Sequence, residues 1–369
     1  MMPVFNNRYA GKKILVTGHT GFKGSWLSIW LNRLEANICG YSNAIPTQPA
    51  LFEEAGIEKH LRHELGDICD EARLTKVILD FKPDFIFHLA AQAIVSTAYN
   101  DPMDTFRVNV MGTATVLQAL RKVDWPCVGI IITSDKAYDN VEWPWGYRET
   151  DALGGKDIYS GSKGGAELAF KSFFHSFFSQ SMSPVRIATA RAGNVIGGGD
   201  WAVDRIVADC IRSWMADQQV IIRSPKATRP WQHVLEPLSG YLTLGAKMTE
   251  DISLHGESFN FGPRAEQNAM VLELLISLAE VWGFEDPSEC FSTTGNSPFH
   301  EASLLKLNID KALLKLHWEP TLTYKECMLK TGIWYRDVIR HGASAWALTY
   351  AQIDEYVDVA TQRRKAWTL

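Results

Sequence analysis

The stretch Lys12-Lys-Ile-Leu-Val-Thr-Gly18-His-Thr-Gly21-Phe-Lys-Gly24-Ser-Trp-Leu-Ser-Ile-Trp-Leu31 decides the fold. Ile14, Leu15 and Val16 form a short apolar run with β-branched members, suited to a strand buried on both faces. Glycines follow at every third position. Trp26, Leu27, Ile29, Trp30 and Leu31 then supply the buried side of a helix. Strand, glycine turn and helix in this order bring a pyrophosphate against bare backbone. Gly18 permits the tight turn, Gly21 lets the main chain approach phosphate, and Gly24 lets the helix pack on the strand. Free N–H groups at the helix start favour negative charge. A plain strand–loop–helix would use its glycines for the turn alone. Position near the N-terminus and both flanking elements favour a dinucleotide site at Gly18, Gly21, Phe22, Lys23 and Gly24.

Outward from this turn, strand and helix alternate. Asn37 to Tyr41 reads as a second strand. An acid commonly holds the adenosine ribose just beyond such a strand, and Asn43 stands there instead. An amide still bonds ribose hydroxyls, and no arginine stands nearby to receive a 2′-phosphate, so NAD is expected rather than NADP. Glu64-Leu-Gly-Asp67-Ile68 reads as a strand end where Asp67 meets adenine or, alternatively, caps the helix that begins near Asp70. Leu74 to Phe81 is helical and stops before Pro83. Asp84 to Ala91 is a buried strand running into small residues. Leu89, Ala90 and Ala91 would let a cofactor lie close above its end, and His88 reads as a core histidine. Asp104 to Lys122 is a long helix. Val128 to Thr133 is a strand that delivers Ser134, Asp135 and Lys136 at its carboxyl end, where open parallel sheets place their ligands. The alternation from residue 12 to about 190 predicts a doubly wound parallel α/β sheet.

Tyr159 to Phe178 is a helix and Val185 to Ala190 a strand. The helix carries Leu168, Phe170, Phe173, Phe174, Phe177 and Phe178, which serve either a core or a subunit interface. From Gly193 the pattern loosens into a smaller lobe: a glycine loop at 197–201, helices at 205–214, 236–248 and 268–282, and an extended segment at 229–234. We divide the chain into a nucleotide domain (10–192, with later returns to the sheet near 225–262), a substrate lobe (193–340) and an unassigned tail (341–369).

Tyr159 and Lys163 lie four apart on one helix and so share a face. A neighbouring ammonium favours the phenolate, and a phenolate takes a proton from a substrate hydroxyl as hydride leaves the same carbon. Tyr9 and Lys13 have the same spacing, but they precede the first strand, on the wrong side of the sheet.

Composition bounds the remaining options. The 369 residues are 46% hydrophobic and 21% charged, with a formal net charge of −5 and no long basic run. This speaks against nucleic-acid binding. There is no apolar leader over Met1–Tyr9 and no stretch of membrane-helix length. The six cysteines are scattered, without a Cys-x-x-Cys pair, as expected for reduced thiols in the cytoplasm.

The glycine turn, the Ala90-Ala91 strand end, the Ser134 region and Tyr159-x-x-x-Lys163 together resemble the extended short-chain dehydrogenase/reductase family, from about residue 10 to Tyr335. Within that family, Gly18–Trp26, Ser134–Asn140, Arg191–Trp201 and Arg229–Val234 resemble the CDP-glucose 4,6-dehydratase branch. The resemblance implies a Rossmann-like fold, tightly held NAD, CDP-glucose as substrate, and a homodimer or dimer of dimers. It further implies a bacterial pathway to dideoxyhexoses of lipopolysaccharide O-chains. The implied lyase reaction is oxidation at C4, loss of water across C5 and C6, and reduction at C6. Oxidation comes first because a C4 ketone acidifies the C5 proton. On this resemblance Tyr159 is the base at the C4 hydroxyl, Lys163 holds the nicotinamide ribose, and Ser134 binds the C4 oxygen. Asp135 protonates the leaving C6 hydroxyl. Lys136 stands where relatives acting on dTDP-glucose have a glutamate base. It serves either as a neutral base at C5 or as a charged group stabilising the enolate. Asn194, Arg205, Arg229 and Asn260 fall around the substrate. Lys23 also departs from the usual apolar residue, and it either pairs with the pyrophosphate or crowds it. No metal is implied. A sugar-nucleotide 4-epimerase is the nearest alternative, and it has no need of an acid at Asp135. A non-catalytic NAD sensor is a more distant alternative.

Overall fold

The computed structural model describes residues 4–179, 183–222, 224–264, 266–293 and 304–369. Its main sheet contains β1 (Lys13–Thr17), β2 (Asn37–Ser42), β3 (Arg62–Leu65), β4 (Phe85–His88), β5 (Cys127–Ile132), β6 (Val185–Ala192) and β7 (Ser258–Phe261). Their order is β7-β6-β5-β4-β1-β2-β3, and every pairing is parallel. The order reverses between β1 and β4, with Thr17 in register with His88. A crevice therefore opens at the carboxyl ends of these two strands, the place where such sheets hold ligands.

Alternation along β1 divides the core between the two faces. Ile14 and Val16 pack with α1 (Phe22–Arg33) and α6 (Leu235–Met248). Leu15 packs on the other face with α2 (Glu71–Phe81), α3 (Gly112–Leu120) and α4 (Ile158–Phe173). Beyond β6 the chain adds α5 (Ile206–Met215), α7 (Val271–Trp282) and α8 (Tyr324–His341), whose buried residues join the same core as Ile14 and Val16, with the paired short strands Val220–Ile222 with Phe291–Thr293 and Thr228–Arg229 with Ala269–Met270. No helix among the described residues is long and apolar enough to cross a membrane. All six cysteines are free thiols, and only Cys69 is not buried.

Three sequence expectations change. The cap of α2 is Asp70, whose side chain accepts from Arg73 N at 3.0 Å, so Asp67 is not the cap. The predicted helix 104–122 is interrupted: Pro102–Phe106 and α3 are joined by a π turn, Arg107–Met111. The tail, unassigned from sequence, forms α9 (Ala345–Gln362) and a final turn packed on α1. Trp30 meets Tyr356 edge-on at 5.7 Å, Trp367 stacks on Phe5 at 5.1 Å, and Arg33 pairs with Asp354. This second cover explains why α1 carries apolar residues nearly all round.

Candidate active site

The glycine turn closes the crevice floor. Gly18 has φ +75°, and a β-carbon there would lie 2.6 Å from Ala90 N, so the turn rests on the end of β4. A β-carbon at Gly24 would collide with the Gly18 carbonyl, whereas one at Gly21 would meet nothing closer than 3.4 Å. Gly24 thus serves packing, and Gly21 leaves the backbone open toward the crevice. Phe22 and Lys23 begin α1 and are half-buried. His19 turns away from the crevice: its ring bonds Ser42 Oγ at 2.9 Å and His63 Nδ1 at 2.7 Å. It therefore braces the turn against the ends of β2 and β3.

Beyond β2, Asn43 is exposed. Asp67 is half-buried; it accepts from Cys69 N at 2.9 Å and from Arg107 Nη1 at 2.9 Å. The Ile68 side chain is buried, and a β-carbon at Gly112 would lie 2.7 Å from it. Leu89, Ala90 and Ala91 line the end of β4, half-buried. His88 is buried, bonded to Thr17 at 2.7 Å, and burial pushes its pKa down to about 3. It is a neutral core histidine, as the sequence suggested.

At the end of β5, Ser134 Oγ donates to Asp135 Oδ1 at 2.9 Å and accepts from Lys136 N at 3.2 Å. Asp135 is buried and Lys136 half-buried. Asp157 caps α4 by accepting from Ser160 N at 2.9 Å, which sets Tyr159 and Lys163 on the first turns, both buried. Lys163 Nζ lies 5.7 Å from the Tyr159 ring centroid. Asn109, in the π turn, locks this geometry. It accepts from Gln92 N at 2.9 Å, donates to Gln92 O at 3.0 Å, and donates to Ser162 Oγ at 2.8 Å. Ser162 in turn donates to Tyr159 O at 2.7 Å. One turn further on, buried Glu167 receives Arg191, Thr133 and Thr189, tying α4 to β5 and β6.

The crevice is electrostatically loaded. Burial and the nearby charges of Lys23 and Arg205 push Lys163 down to about 7. Burial and Arg205 push Lys23 down to about 8, against the pull of Asp135 and Asp200. The structure therefore gathers Lys23, Asp135, Tyr159, Lys163, Asp200 and Arg205 around one space. Asp200 was not singled out from sequence; its only signal was its place in the 191–201 segment. Tyr159 departs from expectation. Burial raises its pKa, and the lowering influences are Arg205 and Ser134 rather than Lys163.

Among the substrate candidates, Arg205 donates to Ala93 O at 3.1 Å at the start of α5, bridging the two sides of the crevice. Asn194 is half-buried just past β6, and Arg229 is half-buried on the strand Thr228–Arg229. Asn260 does not serve this site. It is fully buried, its amide donates to Tyr147 O (2.8 Å) and Asn308 O (3.1 Å), and its oxygen accepts from Tyr138 (2.8 Å). Both N–H groups are spent and the oxygen is engaged inside the protein, and the side chain is fully buried, so it presents no surface to a ligand.

A Rossmann crevice with a Tyr-x-x-x-Lys helix at its mouth defines an extended short-chain dehydrogenase/reductase. Residues 15–331 match the GDP-mannose 4,6 dehydratase family, and the chain belongs to it. It is 43% identical to a CDP-glucose 4,6-dehydratase of Salmonella typhimurium over 96% of this chain and 99% of the relative. Among solved structures, an epimerase from Methanothermobacter thermautotrophicus superposes with TM-score 0.78 at 22% identity, covering 91% of this chain and 96% of that one. A dTDP-glucose 4,6-dehydratase from Bacillus anthracis, in complex with NAD, superposes with TM-score 0.73 at 19% identity, covering 89% and 97%.

Proposed function

We propose that the chain converts CDP-D-glucose to CDP-4-keto-6-deoxy-D-glucose and water, as a lyase that uses NAD internally. The observation that carries this reading is the near full-length 43% identity to a CDP-glucose 4,6-dehydratase. The Ser134-Asp135-Lys136 turn beside Tyr159 and Lys163 supports it. An epimerase needs only the tyrosine–lysine pair, whereas a dehydratase also needs an acid and a base at C6 and C5.

The crevice fits NAD. Gly18 and Gly24 are packed tight, Gly21 is open, and Lys163 has a buried ammonium with no ion pair among the described residues. Gly18, Gly21, Phe22, Lys23 and Gly24 hold the pyrophosphate, and Asn43, Asp67 and Ile68 the adenosine. Leu89, Ala90, Ala91, Tyr159 and Lys163 hold the nicotinamide half. Held there, NAD would supply a hydride acceptor for C4 and a hydride donor for C6, with no net redox change.

The chain's own groups do the proton work. Tyr159 takes the C4 hydroxyl proton; burial raises its pKa, and Arg205 and a hydrogen bond from Ser134 pull it back down. Ser134 binds the C4 oxygen. Lys136 serves C5, as the base for the proton made acidic by the ketone or as the group that stabilises the enolate, and Asp135 gives its proton to the departing C6 hydroxyl, releasing water. Arg205 and Arg229 bind the diphosphate, since guanidinium groups match its oxygens bidentately. Asn194 contacts the sugar. Incubation with CDP-, dTDP-, UDP- and GDP-hexoses tests the reading. Loss of one water from CDP-glucose supports it, and conversion to CDP-galactose overturns it.

The reading extends to assembly and setting. Met103 (78% exposed) and Met111 (56%), on the segments leading into α3, and Leu168 (56%) and Phe177 (43%), on α4 and the turn that follows it, leave apolar side chains exposed, while Phe170 and Phe178 are buried in the core. These side chains join two chains in a dimer or dimer of dimers. We place the enzyme in the cytoplasm, supplying a 4-keto sugar to O-chain dideoxyhexose synthesis.

A further inference from the structure

One buried amide stands behind the proposed acid. Gly193 follows β6 and lies against Asp135, so closely that a β-carbon at position 193 would collide with Asp135 Oδ2. The other carboxylate oxygen is held by Ser134 Oγ at 2.9 Å. The carboxylate is thus wedged between a hydroxyl and a bare glycine, and its position depends on where that glycine sits.

Gln232 sets the position of Gly193. It is 3% exposed, on a two-residue strand paired in parallel with Val195–Ile196. Its Nε2 donates to Gly193 O at 3.2 Å and to Phe261 O at 3.1 Å. Two carbonyl acceptors fix which end of the amide is the nitrogen. Gln232 N also donates to Asn194 O at 3.2 Å. The amide therefore ties the turn after β6 to the end of β7, directly behind Asp135.

We propose that Gln232 is a positioning residue for the dehydration step: acting through Gly193, it holds the Asp135 carboxyl where it can protonate the leaving C6 hydroxyl. The inference rests on the reading of Asp135 as that acid. In the step it serves, the C5–H and C6–O bonds break, the C5 proton goes to the base, and the Asp135 proton goes to the oxygen that leaves as water. A displacement of about 1 Å in such a group costs up to about a hundredfold in rate.

The test compares the holoenzyme with Gln232→Leu and Gly193→Ala on two substrates, CDP-glucose and CDP-6-deoxy-6-fluoroglucose. Fluoride leaves as an anion and needs no proton, so the analogue bypasses the acid while keeping the nucleotide, C4 and C5 chemistry. Gly193→Ala adds one methyl group opposite a side-chain carboxylate that can swing aside, so it keeps the fold if Gln232→Leu does not. The expected result is a fall of roughly tenfold to a hundredfold in kcat on CDP-glucose for both variants, with the fluoro analogue within about twofold of wild type. Equal losses on both substrates would assign Gln232 to general structure or to substrate binding through Asn194, and unchanged rates would remove any role; either overturns the inference. Asp135→Asn separates the two claims. If it loses CDP-glucose turnover but keeps the fluoro analogue while the other variants do not discriminate, only the Gln232 inference fails. If Asp135→Asn itself does not discriminate, the reading of Asp135 fails.

Discussion

Removing the ammonium of Lys163 should stabilise the nucleotide-free protein in a pH-dependent way. Lys163 is 5% exposed, and its pKa falls from 10.5 to about 7 because burial and the charges of Lys23 and Arg205 penalise the charged form. The sign follows from proton counting. Between these two values the unfolded chain binds more protons at this lysine than the folded chain does, so stability rises with pH across the window. Below about pH 7 the lysine is charged in both states, and its full penalty is about 5 kcal/mol at 1.36 kcal/mol per unit. Between about pH 7 and about pH 9 the relief amounts to about 2 kcal/mol. Urea unfolding of nucleotide-free wild type and Lys163→Met across that range measures it. The wild type should gain on the variant by about 2 kcal/mol as pH rises, because the variant lacks this titration. Parallel stability curves would refute a desolvated Lys163. They would also remove the argument that this ammonium is held ready for a ligand.

Two further outcomes follow from neighbouring residues. Lys136→Met should lower turnover on CDP-glucose by about a hundredfold or more, the usual contribution of a general base. Exchange of the C5 hydrogen with solvent should slow in parallel, and full exchange in the variant would exclude Lys136 as the base. NAD binding should put up to about half a proton on Lys23 at about pH 8, since that lysine is half-protonated there and a pyrophosphate at the start of α1 raises its pKa. Calorimetry in buffers of different ionisation enthalpy measures the uptake. Lys23→Ile should lower it to the share of Lys163 and change the dissociation constant for NAD, whereas equal behaviour would remove Lys23 from the cofactor site.

The parts of this site that were legible in the sequence are those written in local spacing. The glycines of the turn, the apolar run of β1 and the Tyr159–Lys163 interval each report geometry a few residues long, and the structure places them at the switch between β1 and β4. The π turn at Asn109 was not legible, because it is stabilised by bonds to Gln92 and Ser162, both distant in sequence. Asn260 was misplaced for a related reason. A motif gives its position at the end of β7, but not that Tyr138, Tyr147 and Asn308 consume its side chain. The tail gave no clear pattern because its partner, α1, is itself apolar on most sides and needs no narrow stripe to receive it. The depressed pKa of Lys163 belongs to burial and to Arg205, which comes from the other side of the crevice. Spacing from Tyr159 carries no trace of either.

The most direct test of the central claim follows one hydrogen. CDP-glucose deuterated at C4, incubated with the purified enzyme and no added reductant, should give CDP-4-keto-6-deoxyglucose with the deuterium at C6. That result requires oxidation, dehydration and return of the same hydride on one resident cofactor. Product without deuterium at C6, or CDP-galactose with the label kept at C4, would contradict the account.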